Sequence, residues 1–221
     1  MTTAVAATQR WLVRIDEMDH ADERLTDVQK NAMRLVADWV RSFLSCPHQE
    51  LGRPGDVCPY TGPAVQRQTF WLTCVDAKET DAAGLKAVVL AYRDRFLELP
   101  PRERQGAMFK TILMLFPDME PADAPGQLDA LQRSLKAEFV GQGLMVGQFY
   151  PGCPEPGLWN HQFRPQDSPV SLLAIRHIVP SDLAFLVGDR GNRNMILAYL
   201  ARFTPELPAA VRKLLSEIVC P

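Results

Sequence analysis

Between Val28 and Phe43 the apolar residues Val28, Ala32, Leu35, Val36, Trp39, Val40 and Phe43 recur at steps of three and four, the period of a helix with one face on a core. Thr26 and Gln29 open the run at capping-box spacing, and it stops before Pro47. Residues 69–75, TFWLTCV, are β-branched and aromatic and predict a strand. A second helix is predicted from about Asp81 to Leu97, with Leu85, Val88, Val89, Tyr92 and Phe96 inward, ending at Pro100 and Pro101. TILMLF at 111–116 is an unbroken apolar run between Lys110 and Pro117, which suits a strand buried on both faces. A third helix, from about Pro121 to Val140, spaces Leu128, Leu131, Leu135 and Phe139 helically until Gly141 and Gly143 break it. Leu144–Tyr150 and Ser171–Val179 predict two more strands. Short helices close the chain, the first opening at Ser181-Asp182 and the last running from about Pro205 to Val219.

The resulting order β, α, β, α, β, β places helices between the first three strands, which implies parallel crossovers and leaves the final pair free to be antiparallel. The expected fold is α/β, with α+β as a variant: one domain over residues 23–221, built on a mixed sheet of about four to five strands flanked by helices. Residues 1–22 are short on periodicity and end in an acidic, polar stretch, so they are expected to be a loosely held lead-in. A chain of 221 residues buries one substantial core without disulfides or metal.

Composition narrows the function. Net charge is −2, from 24 basic and 26 acidic residues, and no Lys/Arg run gives the basic stripe that nucleic acid requires. No stretch approaches the ~18–20 apolar residues of a membrane span, and the N-terminus lacks a basic segment followed by an apolar core. The expectation is a cytoplasmic protein acting on a small molecule, with no nucleic-acid or membrane partner. Five cysteines, an odd number without a secretion signal, argue against a disulfide framework.

Two Pro/Gly-rich segments, residues 45–67 and 150–169, sustain neither regular period. Structureless connections beyond about 12–15 residues are uncommon in compact domains and are usually functional or disordered. Tyr60, Tyr150, Trp159, Phe163 and several prolines disfavour disorder here. The segments also gather Cys46, His48, Cys58, Cys153 and His161 with Arg53, Asn160 and Arg164. Four of the five cysteines precede proline (Cys46, Cys58, Cys153 and Cys220), where 18 prolines in 221 residues would give fewer than one such pair by chance. Proline holds the residue before it extended, which can present a sulfur outward and suits a thiolate ligand to haem iron.

Other arrangements are open. Cys46, His48, Cys58 and Cys153 or His161 have zinc-ligating chemistry but no CxxC pair. His20-Ala21-Asp22 matches two ligands of an iron facial triad, yet lies in the polar lead-in and reads as a solvated run. In SLLAIRHIV, Arg176 and His177 point to opposite faces of a strand. Arg176 is either an anion clamp for a carboxylate or propionate or the buried partner of Asp182 or Asp167. His177 is the main rival to Cys58 as iron ligand, with His48 a further alternative. Cys74 is expected to be a core thiol. No GxxxxGK[ST], HExxH or GxSxG motif is present.

At LGRPGDVCPYTG (51–62), FYPGCPEPGLWNHQF (149–163) and SPVSLLAIRHIVPSDLAFL (168–186) the chain resembles a bacterial domain family of unknown function found near secondary-metabolite genes, over roughly residues 45–190. In length and element order it is also similar to the YqcI/YcgG family, which includes a haem-dependent N-hydroxylase of guanidino amino acids; Cys58-Pro59 reverses that family's Pro-Cys dipeptide. This likeness implies an oxidoreductase, a haem-dependent monooxygenase of an amino acid or similar metabolite. Haem would be bound through Cys58, with His177, His48 and Arg164 as further cofactor-binding candidates, and Arg176, Asn160 and His161 would face the substrate. The rival expectations are an accessory protein presenting Trp159, Tyr60 and Phe163 to a partner, or a structural zinc domain.

Overall fold

The run Thr111–Leu115 forms β3, and all five of its residues are buried. Phe70–Cys74 (β2) lies parallel beside it, Phe70 opposite Thr111 through Cys74 opposite Leu115. On its other side Leu172–His177 (β5) runs antiparallel, and Leu144–Phe149 (β4) completes that edge, antiparallel to β5. Because β5 opposes both neighbours, β4 points the same way as β2 and β3, as helical crossovers require. The last strand is thus inserted backwards between two co-directional ones. Val13–Arg14 (β1) pairs antiparallel with β2 at the far edge, giving the order β1-β2-β3-β5-β4. The fold is a single mixed α/β sheet, as expected. The computed structural model describes residues 11–18, 25–78, 80–187 and 193–203; the expectations for His20, Asp22, the closing helix and Cys220 lie outside them.

Two long helices cover one face. Asp27–Trp39 (α1) precedes the short helix Thr61–Gln66 (α2), and Ala82–Glu98 (α3) joins β2 to β3 through the turn Arg104–Ala107 (α4). Ala124–Gly141 (α5) joins β3 to β4. Helices α3 and α5 bury the predicted residues, from Leu85 to Phe96 and from Leu128 to Phe139, against Ile112, Met114 and Ile175. Helix α1 lies on the opposite face with Phe70, Leu72 and Leu113. Leu183–Val187 (α6) and Arg193–Phe203 (α7) close over Met145 and Ile178. Among the described residues no helix is long and apolar enough to cross a membrane.

Two expectations need correction. The capping box of Thr26 and Gln29 is present, but the inward stripe of α1 is rotated in part: Ala32, Val36 and Val40 are buried as expected and Met33 and Ala37 join them, whereas Val28 is 63% and Leu35 is 45% exposed. Adjacent helical positions lie about 100° apart, so a core that takes Met33 and Val36 rotates Leu35 outward. Residues 11–18, read as part of the lead-in, hold β1; Ile15 is fully buried and its amide donates to the Phe70 carbonyl at 3.0 Å. A two-residue strand is too short to show a period.

The corrected stripe makes a simple forecast. Met33→Ala is expected to cost about 2–5 kcal/mol and Leu35→Ala no more than about 0.5 kcal/mol, measured by urea unfolding. A cost at Leu35 equal to or larger than that at Met33 would overturn the inward placement of Met33.

Candidate functional site

The two irregular segments fold onto each other. Residues 45–58 form a narrow finger: Pro47 and Asp56 make an antiparallel bridge, the Val57 amide donates to the Cys46 carbonyl and the Cys58 amide to the Leu44 carbonyl, both at 2.9 Å. Its tip, the 3₁₀ turn Gln49–Leu51, meets the second segment. Asn160 donates through Nδ2 to the Glu50 carbonyl at 2.7 Å, and its Oδ1 accepts from the Gln162 amide at 2.9 Å. The His48 and Phe163 rings lie 4.8 Å apart. Gly52, at φ 79°, has no room for a side chain: a Cβ would sit 3.0 Å from the Trp159 carbonyl. Arg164 donates to the carbonyls of His161 (2.6 Å) and Phe163 (3.1 Å).

These contacts reassign several candidates. Asn160, Arg164 and the Nδ1 of His48, which accepts from the Glu50 amide at 3.2 Å, are occupied in bracing the loops. His161 is exposed. Phe163 is buried under the finger rather than presented to a partner, and residues 61–66, expected to be irregular, form α2.

The chemistry gathers instead at the base of the finger. The last turn of α1 widens into a π-helix, Val40–Leu44, a distortion often kept at functional sites. It leads to Cys58 and Tyr60, both half-buried. Opposite them, on the α1 side of the sheet, Ala174 and Arg176 of β5 and Gly147 and Phe149 of β4 are half-exposed, while Leu173, Ile175 and Val146 on the helix-covered side are buried. Since β5 is an interior strand, this exposure marks sheet surface that no helix among the described residues covers. Gly147 pairs with Ala174, and a Cβ on Gly147 would touch only the Phe149 ring, at 3.6 Å. This half-exposed strip of small-residue sheet, together with Cys58 and Tyr60, which lie near enough to Arg176 to act on its charge, is termed the groove. At its wall Tyr60 lies 6.3 Å from Phe109, over which Arg67 sits at 4.3 Å. Among the described residues neither the Cys58 sulfur nor the Tyr60 hydroxyl has a hydrogen-bond partner.

Arg176 is not a free clamp. Its Nη1 and Nη2 donate to the two Asp182 oxygens at 2.7 and 2.6 Å, and Nη1 also donates to the His177 carbonyl at 2.9 Å. Asp182, 1% exposed, accepts a further bond from the Val179 amide at 2.8 Å. Burial opposes the Arg176 charge, but hydrogen-bonded Asp182, with smaller contributions from Cys58 and Tyr60, outweighs it and raises the pKa above the ordinary arginine value. Pairing with Asp182, the alternative to an anion clamp, is therefore the arrangement found.

His177 faces the other side of the sheet, 5.1 Å from the Phe96 ring, so it and Cys58 do not share a site. Burial, and then the nearby Lys110 and Arg202 charges, push its pKa down to about 4, against a small upward pull from the Gly143 backbone. Among the described residues no three His, Cys, Asp or Glu side chains are grouped to hold a metal, so Cys46, His48, Cys58, Cys153 and His161 do not come together as a set of ligands. Cys46 donates to the Arg41 carbonyl at 3.3 Å. Cys153, expected to face outward, is buried because its amide bonds back to the Tyr150 carbonyl at 3.0 Å and tucks the sulfur under the turn; burial raises its pKa. Cys74 is the core thiol expected, its pKa pushed up to about 12 by burial, with Asp76 and Asp118 adding to the rise.

The groove floor and buried Lys110 escaped the sequence reading. Gly147, interrupting an apolar strand, was the available signal for the first. Lys110, placed hard against TILMLF, was the signal for the second.

Arg176→Met should destabilise the chain by about 3–5 kcal/mol by stranding the Asp182 carboxylate, which is 1% exposed, whereas Arg176→Met with Asp182→Leu should recover most of that loss. Urea unfolding of the single and double variants decides; an equal or larger loss in the double variant would refute the pairing argument.

No curated protein and no solved structure matches the chain, so the likeness to the YqcI/YcgG family gains nothing from these comparisons. One family profile does match, over residues 33–214, a span that includes the finger, the groove and both irregular segments. The chain belongs to that family, described as a domain of unknown function (DUF6875).

Proposed function

We propose that the groove beside Cys58 is a small-molecule site and that the protein is a haem-dependent oxygenase of an amino acid or similar small metabolite. The observation that carries this is a patch of sheet, Gly147 and Ala174, left half-exposed by the described residues, with a thiol and a phenol near Arg176 that have no hydrogen-bond partner among those residues. A planar cofactor needs a surface without projecting side chains, and an axial thiolate needs one open-sided sulfur. The choice of haem comes from the YqcI/YcgG likeness.

The donor set fits in part. Cys58 would hold the iron, and Tyr60 would offer a hydroxyl to a bound ligand. Arg67, beside Phe109, is the exposed cation at the wall that suits a carboxylate; Arg176, already neutralised by Asp182, instead keeps β5 and the groove floor in place. Haem would supply the oxygen chemistry.

Titration of the purified chain with haemin is expected to give a Soret band that Cys58→Ser shifts or abolishes and His177→Phe leaves unchanged. Absence of a band, or a band indifferent to Cys58→Ser, overturns haem ligation by this residue.

A second reading rests on a separate observation. Trp159 is 67% and Leu158 43% exposed on a segment that its own hydrogen bonds hold still, and a rigid exposed aromatic is a common interface anchor. Under it the protein is an accessory factor. A partner co-purifying with the wild-type chain should then be lost on Trp159→Ala with the melting temperature unchanged; retention of the partner would dismiss Trp159 as its anchor.

A further inference from the structure

A second cluster lies where β3 begins and β5 ends, on the sheet face away from the groove. Lys110 is 1% exposed; its Nζ donates to the carbonyls of Leu99 (2.8 Å) and Pro101 (3.2 Å) and sits 4.6 Å from the centre of the Phe96 ring. The His177 ring lies 5.1 Å from the same ring, and its buried Nδ1 has no hydrogen-bond partner. Among the described residues the charged groups that act on this imidazole are Lys110, from the start of β3, and Arg202, from α7; Arg102, from the connector after α3, acts in turn on Lys110. All are cationic. Gly143, at φ 74°, leaves the space that Arg202 fills, and its carbonyl accepts from the Ile178 amide at 3.0 Å. The end of α3, the connector, both strand ends and α7 therefore meet around one neutral imidazole.

A proton on His177 would add a cation to this buried cluster. Like charges close together in a poorly hydrated interior repel strongly, and the cheapest relief is to let the imidazole reach water. Its main chain also carries the other site's anchor, since Arg176 donates to the His177 carbonyl at 2.9 Å while gripping Asp182. We propose that His177 is a proton-operated release: taking up a proton separates α7 and the Leu99–Pro101 connector from the strand ends and shifts the carbonyl that steadies Arg176. The effect on Arg176 as part of a ligand site rests on the reading of the groove given above; the release itself does not.

The sign follows from linkage. The closed corner holds His177 at about 4, below the ordinary 6.5, so between those values the open form binds more protons. Closure is at full strength above pH 6.5 and is lost as pH falls toward 4. Lys110, lowered to about 8 by burial and Arg102, stays charged throughout that window.

Hydrogen exchange of the full chain, corrected for intrinsic rates, tests this without any ligand. From pH 7 to 4.5, protection in residues 193–203 and 99–103 should fall by up to about tenfold per pH unit, while the β3 amides hold. His177→Phe should flatten the response, and Lys110→Met, by removing a cation that holds the closed-form value down, should make the fall smaller and end it at a higher pH. Unchanged wild-type protection in 193–203, or an equal fall in His177→Phe, overturns the proposal. If His177→Phe does not fold, NMR titration of wild-type His177 decides: a pKa near the ordinary 6.5 overturns it and one well below supports it. Failure of haemin to bind would leave this result untouched, so the two readings fail separately.

Discussion

The reversed insertion of β5 between β3 and β4 governs the two candidate centres. Strand alternation puts neighbouring residues on opposite faces, so a single step along β5 separates Arg176, which meets Asp182 and the finger, from His177, which meets Phe96 and Lys110. Pairing fixes this step on both sides: Arg176 lies opposite Thr111 on one neighbour and Met145 on the other. A one-residue slip would exchange the two faces, stranding a guanidinium among α3 side chains and an imidazole beside Asp182. The penalty for a buried unpaired charge, several kcal/mol, makes that register hard to leave.

The irregular segments depend on the same strand less directly. The second of them links β4 to β5, so an antiparallel partner for β4 needs a return that the chain makes through residues 150–171. Prolines reduce what this return loses in conformational entropy on folding; the Asn160 bond to the Glu50 carbonyl ties it to the finger, and the Arg164 bonds to the His161 and Phe163 carbonyls hold its own turn, each worth about 0.5–1.5 kcal/mol net. Asn160 uses both of its side-chain polar atoms in this way and Arg164 its Nη1, so both residues, chemically attractive in the sequence, brace the loops.

Much of the fold was legible because it rests on periodicity. The inward residues of α3 and α5, the doubly buried β3 and the capping box at Thr26 all follow from spacing alone. Helix α1 carries more apolar residues than one stripe can bury, so spacing could not choose between Leu35 and Met33; packing against β2 did. The two-residue β1 was invisible for want of length. Of the site, the meeting of the two segments and the Arg176–Asp182 pair were legible as options, because buried charge demands a partner. The orientation of Cys153 was not, since a Cys-Pro step fixes the local backbone and leaves open which side of the turn faces the core.

The neutralised state of Arg176 also bears on what the groove can accept. A guanidinium facing an open groove would select anions, and electrostatics would dominate recognition. With Asp182 bonded to both Nη atoms, the charge is largely cancelled at its source, and drawing it away would leave a carboxylate that is 1% exposed without its partner. What remains at the floor is flat apolar surface from Gly147 and Ala174, with a sulfur and a phenol at the side. Such a surface favours a ligand held by contact area and a soft donor over one held by charge, with any carboxylate left to the exposed Arg67. On the proposed reading of the groove, a planar, mostly apolar group fits it better than a small multiply charged metabolite standing alone.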